Sequence, residues 1–488
     1  MQKNRGFNWL TKSPIKINGF LNTHNFNKNY YLTQLGCHLP KNPFKIILNN
    51  YSGKSNMPEM RIIRTNVDRP NSESIESYIA SGGYTAFPKA LNMDPLEIIE
   101  EVKKSGLRGR GGAGFPTGIK WSFIQRDSKK PIYLCCNADE SEPGSFKDRE
   151  IIERDPHQML EGIIITCYAI NSHKCYIYIR GEMPKGTRIL EKAIREAYDK
   201  GFLGDHISGS GFNLDVVLFR GAGAYICGEE TGLLESIEGK NGEPRPRPPF
   251  PAQVGLFGCP TIVNNVETLA CVPHIINRGA EWFASFGTPK NTGTKLYGLS
   301  GSINRPGLYE LPLGIPLREL IYEYGEGIRN GRQVKAISPG GGSAAVLTAD
   351  EIDIPMDFDS LVKAGSMLGT AGVTVMDDTT CMVRVAQNLA HFYRDESCGQ
   401  CVQCREGTWW LEKMLTRIEE GKGRMEYIDT LIDACFQMKG TTICALADGC
   451  AMPVESIVKK FRHEFEEHIR LGKCPFGNKY MGIWDGSE

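Results

Sequence analysis

Three cysteines, Cys398, Cys401 and Cys404, recur at every third residue, and Cys444 follows forty residues later. At that spacing three thiolates turn toward one point, and a fourth from a distant loop completes a four-sulfur set. Zinc knuckles usually split their cysteines into two CxxC pairs. A tight triple with a remote fourth is commoner for a cubane [4Fe–4S] cluster, as in the C-x2-C-x2-C run of bacterial ferredoxins. Here the fourth cysteine is not three residues on and followed by Pro, so this is no ferredoxin domain. Zinc and purely structural thiols are the competing readings. A cluster carries one electron at a time, so a donor must sit elsewhere in the chain.

Polar, glycine-rich stretches mark where that donor would bind. Gly109 to Gly114 fits G-x-G-x-x-G, but a helix precedes it where the dinucleotide fingerprint wants a strand. It is no P-loop either, because Lys120 is followed by Trp121. What remains is physical: the glycines let backbone N–H groups approach a phosphate, and Arg108, Arg110 and Lys120 add positive charge. A flexible glycine loop is the plain alternative. Asn137 to Gly144 follows an apolar run, and open α/β sheets bind ligands at the carboxyl ends of their strands. Gly221 to Thr231 and Cys259 to Thr268 each open a helix, with Pro244 to Pro251 and the aromatic Phe250 between them. Glu229 and Glu230 stand at a helix start, where capping and ligand contact explain a carboxylate equally well.

These residues need a scaffold. Ser72–Ala80 and Asp94–Lys104 read as amphipathic helices, the second with Asp94 as cap and Pro95 as first helical residue. Ile132–Cys136, Lys174–Arg180 and Leu214–Arg220 read as strands, alternating with helices from Pro156 to about Asn171 and from Thr187 to Lys200. That alternation predicts a parallel sheet with crossover helices. From about Thr292 the order becomes strand, strand, short helix, strand (Leu296–Ser300, Gly307–Leu311, Leu317–Tyr324, Val334–Ile337), ending before Gly340-Gly341-Gly342. A ββαβ order fits a small β-grasp, ubiquitin-like unit. From about Asp377 the chain turns helical, with Thr380–Arg394, Arg405–Glu420, Met425–Lys439 and Val454–Arg470 predicted as a four-helix bundle. The cysteine triple falls between the first two helices and Cys444 between the last two, so one end of the bundle gathers all four sulfurs. The expected fold is α/β, with domains at 59–291, 292–376 and 377–473, an extension at 1–58 and a tail at 474–488.

A chain of 488 residues has room for about three domains. Its formal net charge of zero gives no case for nucleic acid or an acidic surface as partner. Of the sixteen cysteines, Cys135, Cys136, Cys167, Cys175 and Cys227 lie in apolar runs and read as small buried thiols. No secretory signal is visible, and a reducing compartment follows. The apolar run from Gly162 to Ile170 is far short of a membrane span. The first 58 residues are basic and rich in Asn, with no acid before Glu59. They resemble a transit peptide in lacking acids, but Pro14, Pro40 and Pro43 break any amphipathic helix. A disordered extension, dispensable for chemistry, is the other reading, and Met57 or Met60 are alternative starts.

In combination, Gly106–Trp121, Asn137–Arg149, Gly221–Glu238, Asn264–Thr268, Glu396–Cys401 and Thr442–Leu446 resemble the NADH-binding flavoprotein (F-type) subunit of respiratory complex I, the NADH:quinone oxidoreductase. The resemblance runs from about Met60 to Ile469. It implies FMN and one [4Fe–4S] cluster as cofactors, NADH as substrate, and a Rossmann-like FMN/NADH domain. It places Arg108, Gly109, Gly112, Lys120, Asn137, Asp139, Ser141, Gly228, Glu229, Val263, Asn264, Asn265 and Thr268 around FMN. It places Phe115, Lys120, Phe123, Glu142, Tyr225, Glu230 and Phe250 around NADH, with the phenylalanines stacking on adenine and Glu142 and Tyr225 near the nicotinamide. Cys398, Cys401, Cys404 and Cys444 would ligate the cluster. Ser141 stands where many members have Gly, and Cys450 adds a thiol near the cluster. No side chain need act as acid or base, because the flavin carries the chemistry. The β-grasp unit has no visible chemistry of its own.

The implied setting is the peripheral arm of the complex, on the cytoplasmic face of a bacterial inner membrane or the matrix side of the mitochondrial one. The poor transit peptide points to the bacterial case. The implied partners are a [2Fe–2S] thioredoxin-like subunit and a large multi-cluster iron–sulfur subunit, with the membrane reached only through them. The flavin subunit of an NAD-linked hydrogenase or formate dehydrogenase shares the core motifs but often adds ferredoxin-like cysteine sets. After Cys450 only Cys474 follows, standing alone. A zinc-stabilised binding module without catalysis is the alternative from a different class.

Overall fold

The structure, a computed structural model, describes residues 59–477. The expected extension at 1–58 and the tail beyond 477 lie outside these residues.

Short runs of Val, Ile, Leu, Tyr and Cys form four strands: β1 (Tyr133–Ala138), β2 (Lys174–Ile179), β3 (Asp215–Arg220) and β4 (Thr261–Asn265). All pair in parallel, in the order β3-β2-β1-β4. Side chains alternate across the sheet as the pleat requires. Leu134, Cys136 and Ala138 share one face with Cys175, Ile177, Ile179 and Ile262. Cys135, Tyr178 and Val263 share the other. The chain moves outward from β1 to β2 and β3, then returns to place β4 on the far side of β1. That reversal opens a crevice at the carboxyl ends of β1 and β4, where doubly wound sheets bind ligands. β4 was expected to be loop: its five residues follow Pro260 and end in two asparagines, and pairing with β1 makes it a strand.

Seven helices position the crevice. α1 (Pro95–Lys104) starts at the expected Asp94, whose carboxylate accepts from Leu96 N while Glu97 reaches back to Asp94 N. α2 (Thr117–Trp121) follows the first glycine loop. α3 (Lys147–Arg154) was not anticipated; α4 (Pro156–Ile170) and α5 (Pro184–Asp199) are the crossovers. α6 (Glu230–Ile237) and α7 (Val266–Arg278) follow the other two loops. α4 is buried almost all round because it lies between the sheet and α7. At Gly162 a Cβ would sit 2.0 Å from the carbonyl oxygen of Leu269, so only glycine allows the two helices this approach.

A second sheet contains β5 (Thr294–Gly301), β6 (Gly307–Pro312), β7 (Val334–Ser338), β8 (Leu347–Thr348) and β9 (Gly372–Asp377), in the order β8-β7-β9-β5-β6. β9 runs parallel to β5, and the remaining pairs are antiparallel. The expected ββαβ run is therefore followed by two further strands. β8 is too short to carry a period, and β9 lies beyond a long segment that holds the short helix Phe358–Lys363. The sheets are joined through buried charge. On β5, Lys295 Nζ lies 2.5 Å from Glu267 Oε2 of α7, and Lys147 Nζ lies 3.1 Å from the same oxygen. Burial pushes the Glu267 carboxyl up, but Lys295, Lys147 and Arg110 outweigh it and hold it below the usual range. Glu267→Gln leaves the buried Lys295 ammonium without its counter-charge, while Lys147 keeps Asp148 at 2.7 Å. It should lower unfolding free energy by about 3–5 kcal/mol, read as a drop in the denaturant midpoint with an unchanged m-value.

The C-terminal region holds five helices, not four: α8 (Met382–Asp395), α9 (Val402–Glu419), α10 (Glu426–Met438), α11 (Leu446–Lys460) and α12 (Arg462–Leu471). The expected helix Val454–Arg470 is broken at Phe461, which leaves helical geometry (φ −120°, ψ 30°) and buries its ring in the core. No Gly or Pro marks that break. α8 and α9 are antiparallel, with Gln387 Nε2 donating to Thr416 Oγ1 at 3.1 Å. Among the described residues, no helix is long and apolar enough to cross a membrane.

Candidate functional site

A cleft of about 400 Å3 opens at the sheet's switch point. One wall comes from the first glycine loop (Gly111 to Ala113), the end of β1 and the loop after it (Asn137 to Glu142), the turn before α6 (Tyr225 to Glu229) and Asn265 at the end of β4. The facing wall comes from Gly340, Ser343 and Thr370 of the second sheet's loops and from Cys444 to Leu446 at the start of α11. Gly112 has φ +138° and nothing within 4 Å of an added Cβ, so its backbone meets the cleft uncovered.

The wall after β1 is polar and tightly linked. Asn137 Nδ2 donates to Gly228 O at 2.8 Å, which ties β1 to the turn before α6. Asp139 N donates to Asn137 Oδ1 at 3.1 Å, and Ser141 Oγ donates to Asp139 Oδ1. Burial raises the Asp139 carboxyl to about 7 against the opposing pull of Ser141 and Arg180. Glu142 accepts from Tyr225 OH at 2.7 Å, from Ser343 N at 2.7 Å and from Ser343 Oγ at 2.6 Å. Burial raises its pKa, and those hydrogen bonds oppose the rise. Ser343 was not foreseen. The second sheet was expected to carry no chemistry, yet its loop after β7 closes the cleft and holds Glu142. The only local signal was the Gly340–Gly342 run.

Of the expected flavin contacts, Gly112, Asn137, Asp139, Ser141, Gly228, Glu229 and Asn265 line the cleft. Arg108, Gly109, Lys120, Val263, Asn264 and Thr268 do not line it. Arg108 pairs with Asp359 at 3.2 Å and lies 4.4 Å over the Phe358 ring. Lys120 Nζ donates to Glu230 Oε2 at 2.8 Å and to Val263 O at 2.9 Å. Trp121 Nε1 donates to Asn264 Oδ1 at 2.7 Å, and Thr268 Oγ1 accepts from Arg110 N at 2.8 Å. The cleft lining includes no lysine or arginine, so an anion there is met by backbone N–H groups and Asn side chains.

Glu229 and Glu230 divide the two roles the sequence left open. Glu229 caps α6, accepting from Thr231 N at 2.8 Å and Gly232 N at 2.9 Å. Glu230 instead sits between cations, with Arg247 Nη1 at 2.9 Å from Oε1 beside the Lys120 contact. Phe115 and Phe123 are exposed with ring centroids 6.1 Å apart, and Phe250 is exposed as well.

Cys398 lies within the link between α8 and α9, Cys401 is the N-cap of α9 and Cys404 lies in its first turn. Ser397 Oγ lies 3.2 Å from Cys404 Sγ, and Ile443 N donates to Cys401 Sγ at 3.4 Å. Hydrogen bonds to sulfur are a main lever on cluster potential. A single zinc, with Zn–S about 2.3 Å, draws tetrahedral thiolates to about 3.8 Å of one another. Among the described residues these four sulfurs are not among the ligand atoms gathered within 4.8 Å of one another. Cys444 is shared: it belongs to the thiol set and also lines the cleft. Cys474 does not stand alone, because its sulfur lies 3.7 Å from Cys381 Sγ.

Two family models match: the Nuo51 FMN-binding domain over residues 102–274, and the NADH-ubiquinone oxidoreductase-F iron–sulfur binding region over residues 384–468. The chain is 55% identical to an F subunit of the NADH-quinone oxidoreductase of Rhizobium meliloti, over 85% of this chain and 99% of that protein. It is 50% identical to the F subunit of the NADH-quinone oxidoreductase of Rickettsia bellii, over 84% and 98% of the two chains. A solved structure of an NAD+-reducing [NiFe]-hydrogenase superposes with TM-score 0.74 at 34% identity, covering 84% of this chain and 67% of that one.

Proposed function

This chain belongs to the family of NADH-quinone oxidoreductase F subunits, and on that premise we propose which residues carry out its work. The protein is the electron-input component of respiratory complex I, an NADH dehydrogenase with FMN and a [4Fe–4S] cluster as cofactors. When bound, FMN takes the two electrons of NADH as a hydride and releases them one at a time to the cluster. The residues below hold and orient those groups.

The cleft at the switch point is the flavin site in this reading. What carries it is the double lining: Asn137, Asp139 and Gly228 on one wall, the cluster thiol Cys444 on the other. Cys444 would thus hold the cluster from the wall of the flavin site itself. The room over uncovered Gly112 suits a planar ring, and Asn265 with the Gly111–Ala113 backbone suits a phosphate. Glu142, held by Tyr225 and Ser343, positions the nicotinamide side and keeps water out. Phe115, Phe123 and Phe250 stack the adenine, and Glu230 receives the adenosine ribose. Cys398, Cys401, Cys404 and Cys444 hold the cluster.

We read residues 59–291 as the Rossmann-like FMN/NADH domain, 292–376 as a β-grasp unit and 377–473 as the cluster-bearing helical bundle. The protein works within a multi-subunit complex. Its immediate partners in this reading are a [2Fe–2S] thioredoxin-like subunit and the large multi-cluster subunit, in the peripheral arm on the cytoplasmic or matrix side. Val402, Trp409 and Trp410 are exposed on the helix that carries the ligands, which suits docking of an electron acceptor there. Identity of 55% over nearly the whole relative favours complex I over the hydrogenase reading, where the match is 34% identical and covers two thirds of that other chain.

Asp139 gives a test of the cleft. With its carboxyl near 7, it is neutral at pH 6 and ionised at pH 8. The added charge opposes anionic FMN, so flavin affinity of the apo-protein should fall about three- to tenfold more across that range than in Asp139→Asn. The variant serves as reference because FMN's own phosphate titrates nearby. Equal pH slopes in both proteins, measured by flavin fluorescence quenching, would put the flavin elsewhere.

A further inference from the structure

A second ligand set lies at the other end of the helical region. Cys381, Glu419, His468 and Cys474 each bring one ligand atom, all within 4.8 Å of one another. Cys381 is the N-cap of α8, Glu419 ends α9, His468 lies in the last turn of α12, and Cys474 follows that helix. Fifteen residues of α9 separate Glu419 from Cys404, about 22 Å along the helix. This set is therefore separate from the cluster thiols.

We propose that these four residues bind one zinc ion as a closed structural site. Zn–S of about 2.3 Å and Zn–N or Zn–O of about 2.0–2.2 Å, in a tetrahedron, imply S···S about 3.8 Å, S···N or S···O about 3.6 Å and N···O about 3.4 Å. The structure has Cys381 Sγ 3.7 Å from Cys474 Sγ, 3.3 Å from His468 Nε2 and 3.5 Å from Glu419 Oε2. His468 Nε2 lies 3.3 Å from Glu419 Oε2.

The surroundings fit a metal better than the alternatives. His468 Nδ1–H donates to Glu464 O at 2.6 Å, which fixes the tautomer and aims the Nε2 lone pair at the sulfurs. Glu419 uses Oε1 for Arg384, at 2.6 Å, leaving Oε2 for the ion. Two thiolates and one carboxylate on a dication carry net charge −1, which the Arg384 guanidinium balances. Binding releases the two thiol protons to solvent and moves no electrons. A Cys–His–Glu catalytic arrangement is ruled out by geometry, because thiol and carboxylate crowd the same ring nitrogen. A Cys381–Cys474 disulfide would leave the convergence of His468 and Glu419 without purpose. Cys381, Glu419 and His468 are buried and all four positions are filled, so no site is left open for substrate. The ion would pin the end of the α8–α9 pair opposite their link to α12 and to the segment after it.

The test uses the full-length holoprotein. Elemental analysis should find about one zinc and about four irons per chain. X-ray absorption at the zinc edge should show two sulfur and two nitrogen or oxygen neighbours. Cys381→Ser, His468→Gln and Cys474→Ser should each lose zinc at least about tenfold and keep iron, whereas Cys435→Ser keeps both. Wild-type protein free of zinc, zinc with only oxygen neighbours, or a Cys381–Cys474 disulfide in a non-reducing peptide map would overturn the proposal. The wild-type measurements decide even if the variants fail to fold.

Discussion

Cys444→Ala should strip the [4Fe–4S] cluster, with iron falling from about four per chain to below about one, while FMN stays bound and NADH still bleaches it. The electron pair would then have no way out to the rest of the complex, and quinone reduction by the assembled enzyme should drop to background. Cys398→Ala, Cys401→Ala and Cys404→Ala should behave alike. Cys435→Ala and Cys450→Ala should keep their iron. Both thiols are fully buried, and burial pushes Cys435 up to about 12 and Cys450 well above the ordinary thiol range. Cys450 sits close enough to Cys404 to feel its charge. It packs with Cys435 in an apolar core that also takes in Cys404, and it does not line the cleft. Full iron in Cys444→Ala together with loss in Cys435→Ala or Cys450→Ala would reverse the assignment.

The cysteine triple was legible because its three members lie within seven consecutive residues. The zinc set was not, since Cys381 and Cys474 are 93 residues apart and no two of the four share a motif. Antiparallel helices create such a set by bringing a helix start, a helix end and a last turn together, and only chain order hints at it. The same logic explains Ser343. The glycine run after β7 was visible, but nothing local ties it to Glu142, 201 residues earlier. Strands β1 to β3 were readable from continuous apolar runs. β4 was hidden because two of its five residues are the asparagines Asn264 and Asn265. Where Arg108 and Lys120 point was also beyond the sequence. Glycines beside cations fit a phosphate loop, yet Asp359 and Glu230 hold those cations away from the cleft wall.

The pairing of Lys120 sharpens the expectation for cofactor choice. Glu230→Gln should cut the preference for NADH over NADPH, as a ratio of kcat/KM, by about ten- to a hundredfold. In NADPH the extra phosphate sits on the adenosine ribose, the group assigned to Glu230. A carboxylate accepts hydrogen bonds from ribose hydroxyls but repels a phosphate. At about 4 Å and an effective dielectric near 20 the repulsion is about 4 kcal/mol per charge pair. Solvent and rearrangement should leave about 1–3 kcal/mol, which is the fold-change stated. Glu230 now holds Lys120 and Arg247 at 2.8 and 2.9 Å. Removing its charge does more than end a repulsion, because it frees Lys120 for the phosphate, while Arg247 keeps its ion pair with Glu229. The gain should therefore appear mainly as better use of NADPH, and Glu230→Lys should go further. Capping cannot account for Glu230, since Glu229 already caps α6. A purely structural ion pair would lower the melting temperature and leave the ratio untouched. An unchanged ratio in a variant that retains FMN would remove Glu230 from the ribose site.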